Sequence, residues 1–182
     1  MTRPAVIALL ALLLPAAASA ATCAPMEHIA YRTAADYQAH EASVKACLAD
    51  ALVGRTTPAN ALGYVKTWLE GTDAVHVEVR DAFLQPALEK ARAKDRDTLW
   101  LAYLAGVALP SLGTARPTPV EREMSGVRAL IDTHERLRKE HPRLRNAAIE
   151  SYMLLLESGE LEAEVQEAIR VVVTVEREVA VR

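Results

Sequence analysis

Five histidines (His28, His40, His76, His134 and His141) and two cysteines (Cys23 and Cys47) are the side chains of this chain that could carry chemistry on their own. Histidine titrates near neutral pH and ligates metals, so its spacing is informative. A helical zinc site places a second His four residues after the first, with a Glu between them. His40-Glu41 and His134-Glu135 supply the first half of that pattern, but Val44 and Arg138 stand where the second ligand belongs. At 100° per residue His40 and His134 fall on apolar helix faces, where a hydrogen-bonded core imidazole is the simpler reading. His40, His76 and His134 would serve catalysis only if the fold joined two of them to a carboxylate. No metal ligand and no cofactor is nominated.

The nucleophiles are equally sparse. No G-x-S-x-G elbow occurs, and Ser43 lies two residues from Lys45, on a different side of any helix. Cys23 and Cys47 lack the C-x-x-C spacing that lowers a thiol pKa and read as a structural bridge. Closing a loop of about 25 residues would add roughly 3 kcal/mol in the chain-entropy picture. Glu157, Glu160, Glu162 and Glu164 crowd the start of a helix, where negative charge offsets the macrodipole. Seven glycines never cluster, so no phosphate-binding loop is present. The run Arg136, Arg138, Lys139, Arg143, Arg145 is the densest basic stretch. Interleaved with Glu135, Leu137 and Glu140 and without aromatics, it reads as a helix C-terminal charge cluster rather than an anion-binding patch. No catalytic residue is nominated.

With 182 residues, 51% hydrophobic, 25% charged and 4% aromatic, the composition fits one ordinary globular domain. It excludes a disordered, collagenous or disulfide-dense chain. With 21 basic against 24 acidic residues, there is no surplus charge to drive binding to nucleic acid or to an anionic membrane. Residues 1–20 have the layout of a cleaved signal peptide: Arg3, an apolar run from Ala5 to Leu14, then Ala18-Ser19-Ala20. Ten apolar residues make only about 15 Å of helix, half a hydrocarbon core. Cleavage after Ala20 removes Arg3, takes the net charge from -3 to -4 and leaves residues 21–182 as a single helical domain without a membrane anchor. The destination is the bacterial periplasm or beyond, an oxidising place in which Cys23 and Cys47 pair.

The elements follow from apolar periodicity and punctuation. Thr33 and Asp36 open a helix to about Leu52 whose inner face carries Tyr37, His40, Val44, Cys47, Leu48 and Ala51. Thr57 and Pro58 are expected to open a second helix, ended by Gly71. Val75 to Val79 alternates as an extended connector with His76 and Glu78 on the wet side. Pro86 is placed in the first turn of a helix reaching Lys94, and Asp97 caps an uncharged central helix to Leu109. Pro110 to Pro119 reads as a loop. Thr118, Pro119 and Glu121 open a helix to Pro142 with Val120, Met124, Val127, Leu130, Ile131 and His134 inward. Leu144, Ala148, Leu155 and Leu156 mark another, closed by Gly159. In the last segment Leu161, Val165, Ala168, Ile169, Val172, Val175 and Val179 share one stripe, so helix outweighs the strand propensity of its valines. Six or seven helices without a run of strands define an all-α fold, an orthogonal or irregular helical bundle.

Asp36-Tyr37 with Glu41, Trp68-Leu69-Glu70-Gly71-Thr72, the alternation from Val75 to Val79 and the run from Leu99 to Val107 together resemble a group of uncharacterised small secreted bacterial helical proteins. They share an Asp-Tyr pair and a Trp-hydrophobe-x-Gly-Thr/Ser motif. The resemblance implies a helical fold and export and carries no activity. The expectation is therefore a non-enzymatic periplasmic protein that binds another protein as adaptor, inhibitor or immunity-like module. The apolar last helix would serve as a core element, a partner-docking surface or a homodimer contact. The alternatives are a hydrolase with a His and carboxylate site assembled between helices, and a carrier of a small apolar ligand.

Overall fold

The computed structural model describes residues 22–25, 31–113 and 116–180, with side chains as far as Arg170. The expected signal segment, His28, and the side chains of Val172, Val175 and Val179 lie outside the described residues. Those residues form seven α-helices and no strand: α1 (Ala34–Leu52), α2 (Ala61–Gly71), α3 (Asp81–Glu89), α4 (Arg96–Leu112), α5 (Pro119–Glu140), α6 (Ala147–Ser158) and α7 (Leu161–Ala180). A 3-10 turn at Ala93–Asp95 precedes α4.

The fold is all-α, a bundle built around α4. One face of α4, with Leu99, Tyr103 and Val107, packs into a core shared with α3, α5, α6 and α7. The other, with Leu101, Leu104, Ala105 and Ala108, packs into a core shared with α1 and α2. Apolar residues all round the wheel are what such a central position demands. The α4–α5 crossing is close because glycines face it. A Cβ at Gly106 would overlap the backbone of Ser125, and one at Gly126 would stand 2.7 Å from Val107 Cγ2.

Capping boxes start α1 and α5. Thr33 and Asp36, and likewise Thr118 and Glu121, exchange side-chain and backbone hydrogen bonds. Gly159 ends α6 at φ +77, which permits the tight turn into α7. Leu161 and Val165 are buried and Ala168 and Ile169 half-buried, as their stripe requires. Cys23 and Cys47 form a disulfide that ties the segment before α1 to its buried face.

Several boundaries differ from expectation. α2 starts at Ala61, and Pro58 instead sits in a turn whose carbonyl accepts from the Ala61 N–H. Proline fits that turn as well as it fits a first helical turn. α3 runs from Asp81 with Pro86 inside it, so Phe83 and Leu84 lie within the helix and are buried. α4 continues through Pro110 to Leu112. Each proline forfeits one helical hydrogen bond, a cost that apolar burial on both sides offsets. In α6 the buried positions are Ile149 and Tyr152, while Leu156 is exposed.

Candidate functional site

Tyr37 and Trp68, far apart in sequence, meet where α1 crosses α2. The Trp68 indole is buried and donates to the Tyr37 carbonyl at 2.8 Å. The Tyr37 phenol lies over the end of α2 because residue 71 is glycine, where a Cβ would overlap that hydroxyl. Tyr37 stacks on Tyr31 with ring centroids 4.7 Å apart. Tyr31 meets His40 edge-on, and His40 Nδ1 lies 3.2 Å from the Tyr64 hydroxyl. Four of the chain's eight Phe, Trp and Tyr side chains thus line one face of α1 and α2. A cleft of about 280 Å³ opens there, walled by Tyr37 and Trp68 and rimmed by Gln38, Glu41, Thr72 and Asp73. Aromatic walls with a carboxylate rim suit a cationic side chain, which rings attract through their quadrupole and carboxylates through charge.

The histidines occupy separate places. His40 belongs to the aromatic row and His76 is exposed on the connector. His134 is 1% exposed on α5, with Nε2 3.8 Å from Glu150 Oε1 on α6, and neither atom has a hydrogen-bond partner. The expected hydrogen bond from a core imidazole is thus missing at this nitrogen. Burial holds the His134 pKa below its ordinary value, against the attraction of Glu150. His76, Asp73 and Ser111 line a polar pocket of about 260 Å³ beside Arg116 and Arg122, and no hydrogen bond links the three among the described residues. Nor does any group of three His, Cys, Asp or Glu among the described residues approach the geometry of a metal site.

A carboxyl that the periodicity did not single out is the most deeply placed. Glu123, 2% exposed on α5, accepts a 2.7 Å hydrogen bond from the Tyr103 hydroxyl of α4. That hydroxyl also accepts from the Arg80 N–H at 3.4 Å, while Arg80 Nη2 pairs with Glu78 at 2.7 Å. Desolvation pushes the Glu123 carboxyl up to about 7, against the pull of Tyr103 and Arg80. Sequence alone offered one cue, a charged residue directly beside the α5 stripe.

At the far end of α5, Arg143 and Arg145 meet Arg92 around a concavity of about 610 Å³. Arg136 takes another role. Its guanidinium donates to the Ala51 carbonyl at the end of α1 and to Thr133 Oγ1, and it packs across Gly54.

No known protein family, curated protein or solved structure matches this chain. The site geometry alone therefore informs the reading of function. Among the described residues no helix is long and apolar enough to cross a membrane.

Proposed function

We propose that the protein is a non-enzymatic helical module, secreted to the bacterial periplasm, that binds another protein through the Tyr37–Trp68 cleft. The observation that supports this reading is the concentration of aromatic side chains on the α1–α2 face of a chain poor in aromatics. Tyr and Trp dominate binding hot spots because they bury large area at little entropic cost. Asp73 at the rim, beside a Glu41 that already pairs with Lys45, selects a partner whose lysine or arginine enters the cleft and competes for Glu41. The net charge, -3 for the full chain and -4 without residues 1–20, favours the approach of such a partner. The disulfide fits the oxidising compartment to which the signal layout points.

In-cell cross-linking followed by mass spectrometry tests the proposal. A discrete partner should be captured by the wild type and by Arg128→Glu on α5, and lost from Glu41→Lys and Gln38→Arg. Equal capture by the rim variants would remove the cleft from this role. Capture of a second copy of the chain would replace the hetero-partner with a homodimer.

A further inference from the structure

The concavity beyond α5 gathers cations from two segments that are remote in sequence. Arg92 comes from the segment before the 3-10 turn, with Lys94 of that turn adjoining the concavity, and His141, Arg143 and Arg145 come from the connection between α5 and α6. Lys94 Nζ stands 3.4 Å from His141 Nε2, which joins the two segments across 47 residues of sequence. Charge complementarity to the C-terminus of α5 explains Arg138 and Lys139, which lie in its last turn. It does not explain why Arg92 and Lys94 are brought to the same place.

The donors there are only partly used. Arg92 binds Asp95 through Nε, while its Nη2 is buried without a hydrogen-bond partner. Arg145 spends Nη1 on the carbonyls of Leu144 and Pro142. Arg143 is exposed and makes no ion pair among the described residues. Three guanidiniums (Arg92, Arg143, Arg145) line the concavity against one lining carboxylate, Glu140, with Lys94 adjoining through His141 and Asp95 through Arg92, in a chain whose net charge is negative. The walls hold no Phe, Tyr or Trp ring on which a base could stack.

We infer that this concavity is a binding site for a phosphate group carried on a small molecule or a lipid headgroup. The free Arg143 fork, the remaining nitrogens of Arg145 and the Lys94 ammonium offer more donors than the two oxygens of a carboxylate can accept. A phosphate monoester presents three acceptor oxygens and up to two charges. The volume suits a ligand larger than the bare ion. Arg92, Arg143 and Arg145 line the concavity, Arg92 anchored by Asp95 and Arg145 by backbone carbonyls, and Lys94 stands at its edge against His141.

Calorimetric titration of the full disulfide-bonded protein with inorganic pyrophosphate tests the site. Saturable binding is expected, weakened about tenfold or more in Arg143→Glu and in Lys94→Glu and unchanged in Arg128→Glu. Co-sedimentation with phosphatidylglycerol vesicles, against phosphatidylcholine vesicles, separates the two sources. Vesicle binding that is lost in Arg143→Glu identifies a headgroup ligand. Pyrophosphate binding without vesicle binding identifies a soluble one. Absence of both, an equal loss in Arg128→Glu, or succinate binding as tight as pyrophosphate would overturn the assignment. Circular dichroism of the two surface variants confirms that they fold.

Discussion

Tyr103 and Glu123 meet inside the α4–α5 crossing, where the phenol donates a 2.7 Å hydrogen bond to a carboxyl that is 2% exposed. The bond favours an ionised carboxylate, yet desolvation is larger and raises the Glu123 pKa to about 7. The folded state therefore holds this proton more tightly than the unfolded chain, in which the value is 4.5. Stability from this group is present in acid and is lost as pH rises from about 4.5 through about 7. Glu123→Gln keeps an acceptor for Tyr103 and removes the titration. Denaturant melts at pH 8 should show the variant more stable by about 3 kcal/mol, with the gap closing by pH 4. A constant gap across that range would refute the assignment.

His134 has the opposite sign. Its folded pKa lies below the ordinary 6.5 because burial disfavours the imidazolium. Its contribution is present above that value and is lost as pH falls below it. In the Glu123→Gln background, melting temperature should drop between pH 6.5 and 5, and His134→Gln should flatten the drop. Persistence of the slope in the double variant would assign it to another group.

Asn146 is buried and does two jobs. Its Oδ1 accepts from the Ile149 N–H at the start of α6, and its Nδ2 donates to the Ala87 carbonyl of α3 at 2.8 Å. Aspartate is as good an N-cap as asparagine, but here it would set a buried anion against a carbonyl. Asn146→Asp should therefore destabilise by several kcal/mol at pH 7, more than the roughly 1–3 kcal/mol of Asn146→Ser. Chemical denaturation ranks the two, and an Asp variant as stable as the Ser variant would show that a carboxylate facing the Ala87 carbonyl carries no extra cost.

The disulfide and the signal layout make a joint prediction about the exported protein. Intact mass of the periplasmic fraction should give a chain starting at Ala21, about 2 Da lighter before reduction than after. Cys23→Ser/Cys47→Ser should then lose up to about 3 kcal/mol of stability. A retained leader, or two thiols open to alkylation without reduction, would contradict the reading.

Much of the architecture was legible because helix periodicity and capping act over a few residues. Thr33 with Asp36 and Thr118 with Glu121 announced two helix starts, and the stripe from Met124 to His134 announced the buried face of α5. The all-round apolarity of the run from Leu99 announced a central helix, and an even pair of cysteines without C-x-x-C spacing announced one bridge. Local rules failed where burial compensates a local cost: Pro86 and Pro110 stay inside helices because lost hydrogen bonds are outweighed by packing on the neighbouring helices. The sites were illegible for a related reason. Trp68 and Tyr37 could be read as core aromatics, but only the α1–α2 crossing makes them walls of one cleft. The basic run around Arg143 reads as helix-end charge from the sequence, and only the fold shows that Arg92 lies beside it, with Lys94 against His141. Glu123 carried only its place beside the α5 stripe, because the partners that receive it, Tyr103 and through it Arg80, lie on other elements. Periodicity reports which face of a helix is dry; the partners that a polar side chain finds there depend on how the helices cross.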